Sequence, residues 1–93
     1  MYASVRRYST GPELADALVS NEDAVKSLIT GIDGFKAYYF VRTADGAVSI
    51  SVYDDEAGAN ESNTAAATWI RENLPDIEVA APQVSAGEVI ISA

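Results

Sequence analysis

The chain has 93 residues, a net charge of −8 and neither cysteine nor histidine. Its length suits one domain over residues 1–93, and the missing residue types exclude disulfides, Cys/His zinc sites, histidine-ligated haem and a Ser-His-Asp triad. The acidic charge argues against nucleic acid and anionic membranes as partners, and no apolar run is long enough to cross a bilayer.

The first half of the chain predicts a strand, a helix in one or two pieces, and a second strand. Alternating apolar and polar residues over 2–8 indicate a half-buried strand. Pro12 suits the first position of a helix, whose apolar stripe continues to Ile32. Capping residues at 20–23 interrupt that stripe, which predicts a kink or two consecutive helices. A glycine-bearing turn, Gly31-Ile32-Asp33-Gly34-Phe35, then leads into a strand over about 35–43.

The second half predicts a hairpin, a long helix and a last strand. Asp45-Gly46 is expected to form the hairpin loop before a third strand over 47–53. The acidic run 54–56 fits a helix N-terminus better than a metal site, because adjacent carboxylates on a turn point in different directions. The helix is expected to end at residue 74, before Pro75, and Val89-Ile90-Ile91 to form the fourth strand.

The order βαββαβ is that of a ferredoxin-like α+β fold, a four-stranded antiparallel sheet with both helices on one face. With Asp45-Gly46 as the loop, Phe40 is expected opposite Ser51 and Tyr38 opposite Tyr53. The helices are expected to cover an apolar set: Tyr39, Val41, Val48, Ile50 and Val52. A polar and aromatic set is expected on the open face: Ser4, Arg6, Tyr8, Lys36, Tyr38, Phe40, Arg42, Ser49, Ser51 and Tyr53.

This open face has two interpretations. It is either buried against a second subunit, with tyrosine hydroxyls bonded across the interface, or it is an aromatic pocket in which Arg6 and serines orient a polar ligand. Both can hold at once. Arg6 and Arg7 place one guanidinium on each side of the sheet, and one of them is expected to pair with a carboxylate.

Three segments carry a resemblance to a known family: residues 2–8 (YASVRRY), 33–39 (DGFKAYY) and 61–70 (ESNTAAATWI). With the βαββαβ order, the turn at 31–35 and the tryptophan in the second helix, the whole chain resembles the dimeric α/β-barrel superfamily. Within that superfamily it is most similar to small antibiotic biosynthesis monooxygenase-like proteins. The resemblance implies a homodimer whose two sheets pack face to face as a barrel. The cavity would lie between each sheet and its helices, or along the barrel wall.

The resemblance also suggests site residues. Family members that are cofactor-independent monooxygenases oxidise aromatic polyketides with an asparagine, a tryptophan and tyrosines around the cavity. In this chain Asn63 and Trp69 would be the asparagine and the tryptophan at the cavity, and Tyr38, Tyr39 or Tyr53 would supply the tyrosine. Haem-degrading relatives bind iron through a histidine that this chain lacks, so no cofactor or metal is expected. No catalytic residue is assigned, and the candidate substrate-binding residues are Arg6, Tyr8, Tyr38, Tyr53, Asn63 and Trp69.

Structural alternatives stand beside these roles. Trp69 can instead pack in the core or at the dimer interface, and Asn63 can be a solvated amide on an exposed helical face. Three functions remain open: a homodimer that binds a small aromatic or polar ligand, a cofactor-independent monooxygenase acting on an aromatic substrate, and a structural dimerisation module without a ligand. Because the N-terminus lacks the pattern of a signal peptide, a cytoplasmic protein is expected.

Overall fold

A single antiparallel sheet with helices on one face forms the framework of the computed structural model, which describes all residues from Met1 to Ala93. The elements are β1 (Tyr2–Ser9), α1 (Glu13–Ser20), α2 (Glu22–Thr30), β2 (Phe35–Thr43), β3 (Gly46–Tyr53), α3 (Glu56–Asn73) and β4 (Gln83–Glu88). The strands lie in the order β2-β3-β1-β4. The predicted ferredoxin-like α+β fold is confirmed, and its first helix is divided in two. None of the helices combines the length and apolar composition that a membrane span requires.

Polar side chains define the helix ends that the sequence indicated. The backbone N–H of Asn21 donates to the carbonyl of Ala17, and its side-chain Nδ2 donates to the same carbonyl at 2.8 Å. Asn21 therefore ends α1 and separates it from α2. At the start of α3, the Asp55 carboxylate accepts a hydrogen bond of 3.1 Å from the N–H of Gly58. The acidic run is thus a helix cap, as predicted.

The hairpin between β2 and β3 is displaced from its predicted position. Thr43 pairs with Gly46, so the loop is formed by Ala44 and Asp45. Phe40 consequently lies opposite Ser49, and Tyr38 opposite Ser51, two residues away from the prediction for both. A shift of two residues leaves every side chain on its original face, because side chains alternate along a strand with period two.

Gly46 explains the displacement. Its φ is +148°, and a Cβ at this position would collide with the carbonyl oxygen of Tyr8. The residue is therefore a glycine because β3 approaches β1 closely here. It does not serve as the second residue of the hairpin loop.

The helices cover the face of the sheet that was predicted to be open, so this prediction is wrong. Polar and aromatic side chains are buried beneath the helices: Ser4, Arg6, Tyr8, Ser49, Ser51 and Tyr53. On the other face, Tyr39 is 62% exposed and Val41 is 44% exposed. Further apolar side chains on that face are half-buried, among them Val5, Val48, Ile50 and Val52. Alternation along the strands predicts which side chains share a face, but it does not predict which of the two faces packs against the helices.

The remaining cations of β2 lie at the margin of the helix-covered face, where carboxylates neutralise them. Lys36 pairs with Asp54 at 3.1 Å, and Arg42 pairs with Asp16 of α1 at 2.9 Å. Neither side chain lines the void or the two grooves described below.

The fourth strand lies before the segment predicted for it. It pairs with β1 over Gln83–Glu88, and Glu88 lies opposite Tyr2, where β1 begins. Pairing ends there because β1 offers no further residue, and only the N–H of Val89 still reaches the carbonyl of Met1, at 2.9 Å. Ile90 and Ile91 follow outside the sheet and are 85% and 86% exposed.

Two apolar clusters lie between the sheet and the helices, one at each end of the central strands. The first contains Ile29, Ile32, Tyr53 and Ala59, and the second contains Tyr8, Leu14 and Leu18. The residue pairs Ser4–Ser51 and Arg6–Ser49 occupy the rows of the sheet between these clusters. The core is thus apolar at both ends and polar in the middle.

Candidate functional site

Arg6 is the centre of the polar middle of the core. It lies on β1 beneath α3, with only 1% of its surface exposed. Its Nη1 donates to Asn63 Oδ1 at 2.8 Å and to Ser62 Oγ at 3.2 Å, and its Nη2 donates to Ser51 Oγ at 3.1 Å. The guanidinium therefore connects β1 to both β3 and α3.

The two α3 side chains that accept hydrogen bonds from Arg6 take part in further hydrogen bonds of their own. Ser4 Oγ donates to Asn63 Oδ1 at 2.6 Å, so this amide oxygen accepts from two neighbours on β1. Ser62 Oγ donates to the carbonyl of Ala59 at 2.6 Å. The alternative of Asn63 as a solvated amide is wrong, because α3 turns Ser62 and Asn63 towards the sheet. The flanking Glu61 and Thr64 are exposed, as that alternative expected. These hydrogen bonds stabilise the amide of Asn63 and the hydroxyl of Ser62 against the sheet.

The charge of Arg6 is not balanced by any carboxylate. The ion pairs of the structure join Lys26 to Glu22, Lys36 to Asp54 and Arg42 to Asp16. The prediction that Arg6 or Arg7 pairs with a carboxylate is therefore wrong, since Arg7 is exposed and all partners of Arg6 are neutral. A buried cation without a counter-ion lowers the stability of the folded state.

Two buried polar atoms in this region have no hydrogen-bond partner within the protein. They are Arg6 Nε and the hydroxyl of Ser49. The two residues are directly opposite each other on β1 and β3 and point to the same face. Since buried polar atoms in native proteins are nearly all bonded, such a pair marks a place where a further group can bind.

A void of about 20 Å³ lies beside these atoms, roughly the space of one water molecule. Apart from Arg6 and Ser49, it is lined by apolar and aromatic side chains: Tyr8, Leu18, Val25, Leu28, Ile29, Tyr38, Phe40, Ala66, Trp69 and Ile70. Two open grooves adjoin it. One of about 300 Å³ shares Leu18, Val25, Tyr38 and Phe40 with the void, and one of about 470 Å³ shares Tyr8 and Ile70.

The tyrosines near Arg6 keep their protons. Burial raises the pKa of Tyr8 and of Tyr38 above the usual 10.0, and the nearby Arg6 guanidinium opposes that rise. Both hydroxyls are therefore neutral at pH 7 and can donate a hydrogen bond. Burial also raises the pKa of Tyr53, to about 12, and its hydroxyl donates to the carbonyl of Ile29 at 2.8 Å.

The structure brings together most of the predicted site residues. Arg6, Tyr8, Tyr38 and Trp69 line the void, and Asn63 is bonded to Arg6. Tyr53 does not join them, since it belongs to the apolar cluster at the other end of the sheet.

Some members of the site could not be found from sequence, and one proposed tyrosine does not line the void. Tyr39 is exposed on the opposite face of the sheet and contributes only to the edge of the groove of about 300 Å³. Alternation grouped Ser49 with Arg6, but nothing in the sequence indicated that its hydroxyl stays unpaired. Ser62 and the lining residues of α1 and α2, such as Leu18 and Val25, had no distinguishing signal, because only the packing of the helices brings them to the void.

No protein-family model matches the chain, and no curated protein matches its sequence significantly. Solved structures do match its fold. A putative antibiotic biosynthesis monooxygenase from Nitrosomonas europaea superposes with a TM-score of 0.72 at 14% identity, over 98% of this chain and 100% of the other. A monooxygenase from the gene ActVA-Orf6 of Streptomyces coelicolor, in complex with the ligand nanaomycin D, gives 0.61 at 20% identity, over 98% and 91%.

A further similar structure is the haem degrader MhuD from Mycobacterium tuberculosis, with two haems bound in its active site. It superposes with a TM-score of 0.72 at 9% identity, over 100% of this chain and 99% of the other. At such identities the likeness concerns the fold. The fold is that of the antibiotic biosynthesis monooxygenase-like proteins, as the resemblance in sequence implied.

Proposed function

We propose that the protein is a homodimer that binds a small molecule between the sheet and the helices of each protomer. The observation that carries the proposal is the pair of unbonded buried atoms, Arg6 Nε and Ser49 Oγ, at an otherwise apolar void. A few converging polar groups within apolar walls are typical of ligand pockets. A group of the ligand would supply the hydrogen bonds that the protein itself does not make.

The outer face of the sheet supports the dimer. Tyr39 and Val41 are exposed there beside the half-buried Val48 and Ile50, which makes a contiguous apolar patch. Exposed patches of this kind mark interaction surfaces. A second copy that presents the same face would cover the patch, because a two-fold dimer uses one self-complementary surface on both subunits.

Paired valine substitutions test the dimer. Val41→Glu places a charge on the outer face, whereas Val19→Glu makes the same change at an exposed valine of α1, which is 63% exposed. We expect Val41→Glu to be monomeric and Val19→Glu to be dimeric by sedimentation velocity. A dimer that persists in Val41→Glu would show that the outer face is not the interface.

Native mass spectrometry of gently purified protein tests the ligand. A dimer that carries additional small masses would support the proposal. A bare dimer would favour the third function, a structural dimerisation module, and a bare monomer would contradict both.

A cofactor-independent monooxygenase is the second candidate function. It is favoured by Trp69, Tyr8 and Tyr38 around the void and by the fold shared with the monooxygenase that binds nanaomycin D. In such a reaction one atom of dioxygen enters the aromatic substrate as a carbonyl oxygen. The other leaves as water with the two hydrogens of the oxidised carbon. Arg6 and the neutral tyrosine hydroxyls would hold the deprotonated substrate in a site from which water is excluded.

Oxygen uptake with an anthrone as substrate tests this second function. Uptake above that of the anthrone alone, together with one ¹⁸O atom per product molecule from labelled dioxygen, would support it. A haem-dependent reaction does not suit the site. The chain has no histidine, the residue expected to bind haem iron in this fold.

A further inference from the structure

Arg6 is a buried cation whose charge nothing in the protein neutralises. A guanidinium stays protonated in proteins, so burial cannot be relieved by loss of a proton. The three oxygens that accept from it belong to neutral side chains, Ser51, Ser62 and Asn63. Its Nε remains without a partner and points to the same face as the unbonded hydroxyl of Ser49.

The groups around the void can all donate a hydrogen bond. Arg6 offers only N–H groups, and the hydroxyls of Ser49, Tyr8 and Tyr38 each carry a proton, with the two tyrosine hydroxyls lying near the Arg6 guanidinium. The amide oxygen of Asn63, in contrast, is already occupied by Ser4 and Arg6. A site built of donors around one positive charge is complementary to an acceptor with a negative charge.

We propose that the ligand is an organic oxyanion whose charged oxygen binds Arg6 Nε and Ser49 Oγ and whose apolar body extends towards the surface. This inference rests on the proposed function and specifies its ligand. The void of about 20 Å³ admits the head group alone. Leu18, Val25, Tyr38 and Phe40 line both the void and the neighbouring groove of about 300 Å³, so movement of these side chains joins the two spaces. The body of the ligand occupies that groove.

Calorimetric titration with matched probes tests the charge. We expect 2-naphthoate to bind at least about tenfold more tightly than the neutral 2-naphthamide, since a hydrogen bond to a charged group exceeds a neutral one by this order. Acetate is expected to bind far more weakly than 2-naphthoate because it has no body to fill the groove. Titration of 2-naphthol in two buffers of different ionisation enthalpy separates phenolates from carboxylates, because only binding as the phenolate releases a proton.

Two substitutions test the residues. Ser49→Ala is expected to weaken 2-naphthoate binding roughly tenfold, whereas Ser85→Ala, at an exposed serine of β4, leaves it unchanged. Arg6→Gln is expected to weaken it on the order of 100-fold while the affinity for 2-naphthamide changes little. If Arg6→Gln fails to fold, the affinity of Ser49→Ala for 2-naphthoate still tests whether the anion binds at this site.

Several results would overturn the inference. Equal affinities for 2-naphthoate and 2-naphthamide would show that the void accepts a neutral group or a water molecule. Equal affinities for acetate and 2-naphthoate would show that an apolar body does not contribute to binding. If Ser49→Ala leaves the affinity for 2-naphthoate unchanged, the anion does not bind at Ser49. No binding of any probe would overturn the ligand class, and the co-purified mass in the native spectrum would still test the proposed function by itself.

Discussion

Arg6 and Asn63, 57 residues apart in the chain, are joined by a hydrogen bond of 2.8 Å from the guanidinium to the amide oxygen. The bond connects the first strand to the middle of the longest helix and fixes how α3 lies on the sheet. It also uses the one side-chain amide near Arg6 without neutralising the charge. The positive charge is thus held in place without a counter-ion from the protein.

Asn63→Asp should give Arg6 the counter-ion that its neutral partners do not supply. The carboxylate can accept from Ser4 and Arg6 as the amide does, and it adds a counter-ion. We expect the free energy of unfolding to rise by about 1 kcal/mol at pH 7 and the affinity for 2-naphthoate to fall at least tenfold. Chemical denaturation and calorimetric titration measure the two effects.

The pH dependence of Asn63→Asp and a control variant complete this test. The pairing depresses the pKa of the new carboxyl in the folded state. Its stabilisation is therefore present above the unfolded value of about 3.9 and is lost as pH falls through the folded value. Asn60→Asp places the same charge at an exposed position of α3 and should alter stability by less than about 0.5 kcal/mol. If Asn63→Asp clearly destabilises the protein and Asn60→Asp does not, an anion next to Arg6 does not stabilise the folded state.

Trp69→Phe should have little effect on stability. The indole is half-buried beside the void, and its N–H makes no hydrogen bond within the protein. We expect a loss below about 1 kcal/mol in thermal unfolding, whereas Leu14→Ala, at a fully buried residue, should cost about 2–5 kcal/mol. A loss of several kcal/mol in Trp69→Phe would place the ring in a tightly packed core. Because Trp69 is the only tryptophan, ligand binding should also change the intrinsic emission.

Deprotonation of Tyr53 should lower the free energy of unfolding at alkaline pH. Burial raises its pKa to about 12 in the folded state, above the usual 10.0. Between these values the folded protein binds more protons than the unfolded chain, so stability is complete below pH 10 and falls as pH rises. The fall due to this residue should reach about 2–3 kcal/mol at pH 12, and Tyr8 and Tyr38 act in the same direction.

Comparison of Tyr53→Phe with Tyr39→Phe isolates that contribution. Tyr53→Phe removes the hydrogen bond to Ile29 and should cost about 1 kcal/mol at pH 7, but its decline above pH 10 should be shallower. Tyr39→Phe, on the outer face, should keep the steep decline of the unmodified protein. Parallel curves for all three proteins in denaturation series from pH 7 to pH 12 would contradict the assignment.

Gly46→Ala should be among the most destabilising small substitutions. The residue has a positive φ, and the added methyl group would meet the carbonyl of Tyr8 on the adjacent strand. We expect a loss of at least about 2 kcal/mol in urea denaturation. Gly87→Ala is the matched control, since a Cβ there meets nothing within 4 Å, and it should change stability by less than about 1 kcal/mol. Similar losses for both would argue against the close approach of β3 to β1.

The fold could be predicted from local signals because each of them acts within a few residues. Asn21 divides the first helix, Asp55 begins the long one, and alternation defines β1, β2 and β3. The exact hairpin pairing and the position of β4 could not be predicted in this way. They depend on Gly46 meeting Tyr8 and on the length of β1, which are contacts between strands distant in sequence.

By itself, the sequence determined which side chains share a face, since that follows from the period of a strand. Arg6, Tyr8 and Tyr38 were grouped correctly with the serines of β3, and Trp69 and Asn63 were assigned to the long helix. Only the tertiary structure decided that the helices cover this polar set. The reason is that Ser62 and Asn63 of α3 supply the hydrogen bonds that make burial of Arg6 tolerable, while the apolar set remains outside. Which face is buried depends on partners far away in the chain, and alternation within one strand carries no information about them.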